Sequence, residues 1–235
     1  MHKADWTLNV TDEECAAALQ NPEFKAVAPA ISKDSLTLVK YKDEGVLPIN
    51  PEKYKRIMLV HIKGADTPMG KLAALAMGQG GKKSAVERLQ EKLAAKGFDA
   101  FIYESPLDKM MKMVQAGQKP DLNIYFAGKN AIADFTAEND MVISLFDVAN
   151  GHPSFGLSKG GGEIPWYVHE LPVVGISVNK PTMLADAPML RTYINTYDSN
   201  DDTMDALVDA LLAGPEAFRG SDPIDSFCGM WDTRM

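Results

Sequence analysis

Hydrophobic positions change their period several times along the chain, and each change marks an element. Thr11 and Glu14 form a T-x-x-E capping box, whose side chains satisfy backbone N–H groups at a helix start, and they predict a helix over about residues 12–20. Pro22 suits the first position of a second helix reaching about Lys33, because the N–H it lacks has no partner there anyway. Val27, Ala30 and Ile31 keep helical spacing along that segment. The period then shortens. Ser35-Leu36-Thr37-Leu38-Val39-Lys40 is β-rich, Glu44-Gly45 turns the chain, and Leu47-Pro48-Ile49 follows. Ile57-Met58-Leu59-Val60-His61-Ile62 is nearly all apolar, which suits a strand covered on both faces of a parallel sheet.

Further on, Val86, Leu89 and Leu93 share one helix face, and Gly97 closes that helix. Phe98 to Tyr103 reads as a strand, and Ser105-Pro106 as a helix start, followed by Leu107, Met111 and Val114 at i, i+4, i+7. Leu122 to Phe126, Met141 to Phe146, Val173 to Val178 and Thr192 to Thr196 read as strands. Asp201 or Asp202 is expected to cap a last helix with Met204, Leu207, Val208, Leu211 and Leu212 inside, stopped by Gly214-Pro215. Two stretches break the rhythm: residues 64–82 hold five glycines, and 147–171 is a long glycine-rich loop, a length that usually accompanies function.

Strands alternating with helices predict an α/β fold: an open, mostly parallel five- to six-stranded sheet with helices on both faces, a three-layer, flavodoxin-like sandwich. Residues 1–34 read as a helical lead-in and 35–235 as the sandwich. The length, 235 residues, suits one large domain of this kind, and 46% hydrophobic residues supply its core.

Charge narrows the partners. A net charge of −8 disfavours nucleic acid and anionic lipid. No run of about 18 apolar residues is present, so no membrane-spanning helix is expected. The start, Met1-His2-Lys3-Ala4-Asp5-Trp6, has no apolar signal region, which points to the cytoplasm. Asn9-Val10-Thr11 fits the glycosylation pattern but carries little weight without a secretion signal. Cys15 and Cys228 make no disulfide framework and read as reduced thiols.

In open α/β sheets ligands bind beyond the carboxyl ends of the strands, which singles out loops 63–80, 127–139, 147–171 and 179–190. Loop 147–171 is the richest, with Asp147, Asn150, His152, Glu163, Trp166, His169 and Glu170. Carboxylates and imidazoles beside an aromatic ring can bind a sugar by hydrogen bonding and stacking. A solvated loop anchored by a buried Trp accounts for the same residues. Glu163 follows three glycines and is a weak candidate for a general acid if burial raises its pKa; an exposed charge is the plainer reading. His152 and His169 lack a third ligand at diagnostic spacing, so no metal is expected. Gly78-Gln79-Gly80-Gly81-Lys82-Lys83-Ser84 departs from the phosphate-loop spacing, and no cofactor is expected. No nucleophile elbow or Cys/His pair stands out. The 13 methionines read as core filler.

Several segments then resemble a known family. Ile31-Ser32-Lys33-Asp34-Ser35-Leu36-Thr37-Leu38-Val39-Lys40, followed by Leu47-Pro48, resembles the entry of family 3 glycoside hydrolases into their second domain. Glu163-Ile164-Pro165-Trp166-Tyr167-Val168-His169-Glu170-Leu171-Pro172-Val173-Val174 is similar to the β-N-acetylhexosaminidase branch. So is Ser177-Val178-Asn179-Lys180-Pro181-Thr182-Met183-Leu184-Ala185-Asp186-Ala187-Pro188, continuing into Thr192-Tyr193-Ile194-Asn195-Thr196-Tyr197. Phe218-Arg219-Gly220-Ser221-Asp222-Pro223-Ile224-Asp225 resembles the family's closing F-x-G-x-S-P-V-D.

The resemblance implies a C-terminal α/β domain that packs on a barrel domain and helps shape an amino-sugar glycoside site, with Asp147, Asn150, His152, Trp166, His169 and Asn179 as substrate-binding candidates. Members resembling this branch carry the aspartate nucleophile, and many a His–Asp acid/base pair, on the barrel; neither motif occurs here. A barrel takes roughly 200 residues or more, and the open sheet already uses this chain. Retaining hydrolysis needs groups on both sides of the glycosidic bond, so the chain alone is expected to be inactive. An exposed partner surface would give it an apolar patch and a route to homo-oligomers. A stand-alone carbohydrate-binding module and a small self-sufficient hydrolase remain the alternatives.

Overall fold

A computed structural model describes residues 11–63, 83–104, 106–119, 132–149 and 166–224. Its elements, in chain order, are helices α1 (Asp12–Leu19) and α2 (Pro22–Ser35), strands β1 (Thr37–Tyr41) and β2 (Arg56–Lys63), helix α3 (Ala85–Ala95), strand β3 (Asp99–Ile102), helices α4 (Pro106–Gln115) and α5 (Ile132–Glu138), strand β4 (Met141–Asp147), a 3₁₀ turn (Trp166–His169), strand β5 (Val173–Ser177), a 3₁₀ turn (Met183–Ala185), strand β6 (Thr192–Asn195), helix α6 (Asp201–Ala213) and a 3₁₀ turn (Pro215–Ala217). The expected strand Leu122–Phe126 lies outside the described residues.

The strands form a six-stranded open sheet in the order β1-β6-β5-β4-β2-β3. Neighbours from β6 to β3 pair in parallel, and β1 pairs antiparallel with β6. The three central strands β2, β4 and β5 are nearly continuous apolar runs because both faces are covered. One face carries Ile57, Leu59, Ile143, Leu145 and Ile176 against Leu89 and Leu93 of α3 and Leu207 and Leu211 of α6. The other carries Met58, Val60, Ile62, Val142 and Phe146 against Phe135 of α5, Tyr167 and Leu184. Burying a side chain of this size contributes about 1.5–3 kcal/mol, so the sandwich rests on these two layers.

The predicted capping box of Thr11 with Glu14 closes on α1, and the structure adds a second of the same type, Ser84 with Glu87 on α3. Helix α6 differs from expectation. Asn200, not Asp201 or Asp202, is its N-cap: its backbone is extended and its Oδ1 accepts the Thr203 N–H at 2.8 Å. The two aspartates fall in the first turn, where the helix dipole favours negative charge.

The lead-in is tied to the sandwich at its end. Helix α2 lies along α6, where Ser32 Oγ and Thr203 Oγ1 are 3.1 Å apart and buried. The chain's closing segment returns to the same place: the Gly220 N–H donates to Leu36 O at 2.9 Å. No described helix is long and apolar enough to cross a membrane.

Candidate functional site

The chain leaves β2 toward β3 in one direction along the sheet, and leaves β4 toward β5 in the other. The carboxyl ends of β2 and β4 therefore flank the topological switch point, the place where open α/β sheets characteristically bind ligands. Polar side chains meet there. Strand alternation puts His61 on the same face as Ile57 and Leu59, and Asp147 on the same face as Ile143 and Leu145. Both stand at the level where the apolar layer under α3 and α6 ends.

Asp147 is the last residue of β4, with Lys63, the last of β2, opposite it in register. The Nε2 of His61 lies 3.2 Å from Asp147 Oδ2, and Asn179 Nδ2 donates to Asp147 Oδ1 at 2.6 Å. The His61 side chain is 10% exposed and that of Asp147 31% exposed, so the carboxylate is the part that solvent reaches. The hydrogen bond from His61 holds the Asp147 carboxyl below its ordinary pKa; burial opposes this, and the His61 charge, the Asn179 amide and Lys63 add to it. Asp147 is thus a carboxylate near neutral pH, an acceptor held on strand ends. Glu87, in the first turn of α3, feels His61 and Lys63 as nearby positive charge, although its own shift comes first from the Ser84 hydroxyl.

The sequence-predicted residues separate. Asp147 and Asn179 come together. Asn150, His152 and Glu163 lie outside the described residues. Trp166 and His169 belong to the turn that enters β5 from its amino end. That corrects the reading of 147–171 as one loop above the carboxyl ends. A parallel crossover must travel the length of the sheet, so its last residues return at the far side. His169 is exposed and helps line a cleft of about 670 Å³ at the amino ends of the strands, with Lys42, Asp43, Lys53, Tyr54 and Arg191. There Arg191 pairs with Asp43. Beside His169, Tyr167 is fully buried, its hydroxyl 2.8 Å from Ser144 Oγ.

Sequence reasoning missed His61. Its signal was a single imidazole inside the otherwise apolar run of β2, and its partner lies 86 residues away. Among the described residues, no group of three or more His, Cys, Asp or Glu is placed to hold a metal. Cys15 is an exposed free thiol.

No family model matches the chain. It is 31% identical over 230 residues to a β-N-acetylglucosaminidase/β-glucosidase of Cellulomonas fimi, covering 97% of this chain and 36% of that protein. Among solved structures it is similar to the β-glucoside phosphorylase BglX, with a TM-score of 0.65 and 27% identity over 92% of this chain and 34% of that one. A second structure of BglX, bound to 2FGlc, gives a TM-score of 0.66 at 26% identity over 94% and 35%. The chain thus spans about a third of the length of the relatives it matches. An α/β sandwich of this topology, aligned along nearly its whole length with one part of larger sugar-processing enzymes, fits the C-terminal domain of a family 3 glycoside hydrolase.

Proposed function

We propose that this chain serves as the α/β domain of a β-N-acetylhexosaminidase-type enzyme and completes the wall of its sugar site without performing the cleavage itself. The observation that carries this reading is the His61–Asp147–Asn179 cluster at the switch point of the sheet. It offers a ligand's hydroxyl groups a carboxylate fixed by an imidazole and an amide. Cleaving an acetal by double displacement takes a nucleophile and an acid/base about 5 Å apart across the bond. Among the described residues Asp147 is the only carboxylate hydrogen-bonded in this cluster, and this reading assigns the reacting groups to a partner. That partner is a barrel domain, which fits the roughly two thirds of each relative's length that this chain leaves unmatched.

The relatives' names bracket the substrate as a β-linked glucoside or N-acetylglucosaminide. A chromogenic N-acetylglucosaminide assay tests the reading. The chain alone should give no turnover, and titration with N-acetylglucosamine should give only weak, roughly millimolar binding. Turnover that survives repurification and disappears in Glu163→Gln would instead make it a self-sufficient hydrolase. Micromolar binding would make it an independent carbohydrate-binding module.

The likeness to a phosphorylase favours a second reading of the assembled enzyme, in which inorganic phosphate replaces water as the acceptor. The product distinguishes them: a sugar 1-phosphate in one case, the free sugar in the other.

A further inference from the structure

Resting on the reading of this domain as part of a sugar site, we infer that Asp147 is its ligand-contacting group, that His61 and Asn179 are positioning residues acting through it, and that the site selects neutral ligands presenting two adjacent hydroxyl groups. The exposures divide the roles. His61 is 10% exposed and turns Nε2 to the carboxylate, whereas Asp147 is 31% exposed. Each carboxylate oxygen takes one protein donor: Oδ2 from His61 at 3.2 Å and Oδ1 from Asn179 at 2.6 Å. A carboxylate oxygen has two lone pairs, so each retains one. The group is therefore locked in orientation and still able to accept two further hydrogen bonds, side by side.

Two adjacent hydroxyl donors on a sugar ring match that pair of acceptors. An anionic sugar can present the same hydroxyls but brings a second negative charge close to the half-buried Asp147 carboxylate, where like charges repel more strongly than in water. The backbone makes the placement rigid. Asp147 is flanked by Phe146 and Val148, both fully buried. Asn179 follows Val178, whose N–H donates to Phe146 O at 3.1 Å. A group on strand ends braced in this way keeps its geometry when a ligand enters. Lys63 and Glu87 are the other charged groups near the pair. Neither takes either of the two hydrogen bonds that orient it.

The test is a backbone-amide NMR titration of the full chain with N-acetylglucosamine, glucose and glucuronate, in the wild type and in four variants. In the wild type the two neutral sugars should shift the amides around residues 61, 63, 147 and 179, while glucuronate leaves them unmoved. Asp147→Asn should weaken binding about tenfold, and His61→Ala and Asn179→Ala about three- to fivefold. His61→Gln carries an amide donor near the place of Nε2, so it should bind within about twofold of wild type; that rescue separates positioning from mere filling of space. The same spectra report whether each variant is folded, and the exposed Asn179→Ala provides a variant away from the core. Wild-type affinity in Asp147→Asn would overturn the inference and leave sugar binding standing. Equal binding of glucuronate would overturn the selection for neutral ligands. Silence with all sugars at about 50 mM would remove the reading on which the inference rests, and the inference with it.

Discussion

Lys92 Nζ lies 2.6 Å from Asp205 Oδ2, and this pair is the middle rung of a ladder joining α3 to α6. Arg88 meets Asp201 at 3.6 Å and Lys96 meets Asp209 at 2.8 Å. The basic residues and the acidic residues both step by four, so the two helices run side by side in the same direction, one rung per turn. The rungs lie at the surface, above the buried contact of Leu89 and Leu93 with the sheet. Their contribution is therefore modest. Asp205→Ala should lower stability by about 0.2–1 kcal/mol in low salt. The difference should shrink in about 1 M salt, where the screening length falls to roughly 3 Å and solvent-exposed ion pairs weaken. Urea melts at two ionic strengths measure this. An equal loss at both would assign the effect to packing rather than charge.

Gly220 shows why a glycine stands in the closing segment. A Cβ built there would lie 2.3 Å from Ser35 O and 2.3 Å from Thr37 Oγ1. The first of these is backbone at the last residue of α2, just before β1, and cannot swing aside. Gly220→Ala should therefore lift the closing segment off β1, weaken the Gly220 to Leu36 hydrogen bond, and cost about 1–3 kcal/mol. A lowered urea midpoint with faster amide exchange at Gly220 is expected. Gly45 serves as the comparison: nothing lies within 4 Å of its built Cβ, but its φ of +91° makes any replacement strained for a different reason.

How much of this was legible in the sequence depends on the range of the interaction. The capping box on α1 spans three residues and appears as written; the one on α3 has the same span, but its Ser84 sits in a stretch read as a departure from a phosphate loop. Strands β2, β4 and β5 were legible because burial on two faces removes polar residues from the run itself. The direction of β1 was not, because alternation is the same in parallel and antiparallel strands. The cap of α6 shifted by one residue, since Asn200 and Asp201 are both good capping types and only the backbone turn decides. At the candidate site, Asp147 and Asn179 were singled out by their place after strands, and the structure brings the two side chains together. His61 was hidden because its meaning comes from strand register, which brings Lys63 opposite Asp147 across unrelated stretches of chain. His169 was misplaced for the same reason, its position being set by the length of a crossover rather than by its distance from Asp147 in sequence.

The Asp147 carboxyl makes part of the fold's stability depend on pH, with a definite sign. Its pKa in the folded chain is lowered, first by the His61 hydrogen bond. The unfolded chain has the ordinary carboxylate value near 3.9. The folded state thus binds the proton less readily than the unfolded state. The contribution is fully present above about pH 5 and is lost as the pH falls below 4 toward the lowered value. Asp147→Asn removes this term. Its stability deficit relative to wild type should be largest near pH 7 and should close in acid, as urea midpoints between pH 7 and 3 would reveal. A deficit that stayed constant to pH 3 would contradict the His61–Asp147 hydrogen bond as its source.

The helices of the lead-in carry an apolar stripe that this chain leaves uncovered. Leu19 is 75% exposed, Val27 48% and Ile31 62%. Helix α1 has no buried residue at all, and eight residues are too few for a helix to be stable in water by itself. On the opposite side α2 is held to α6 by Ser32 and Thr203, so the stripe faces away from the core. Replacing Leu19, Val27 and Ile31 together with serine should then leave the urea midpoint of the sandwich nearly unchanged, within about 0.5 kcal/mol per site, because no core contact is lost. If these exposed side chains drive self-association, the triple variant should abolish the concentration dependence that sedimentation reads in the wild-type chain. A large loss of stability would show that the stripe is packed within the chain, whereas unchanged self-association would move the sticky surface elsewhere.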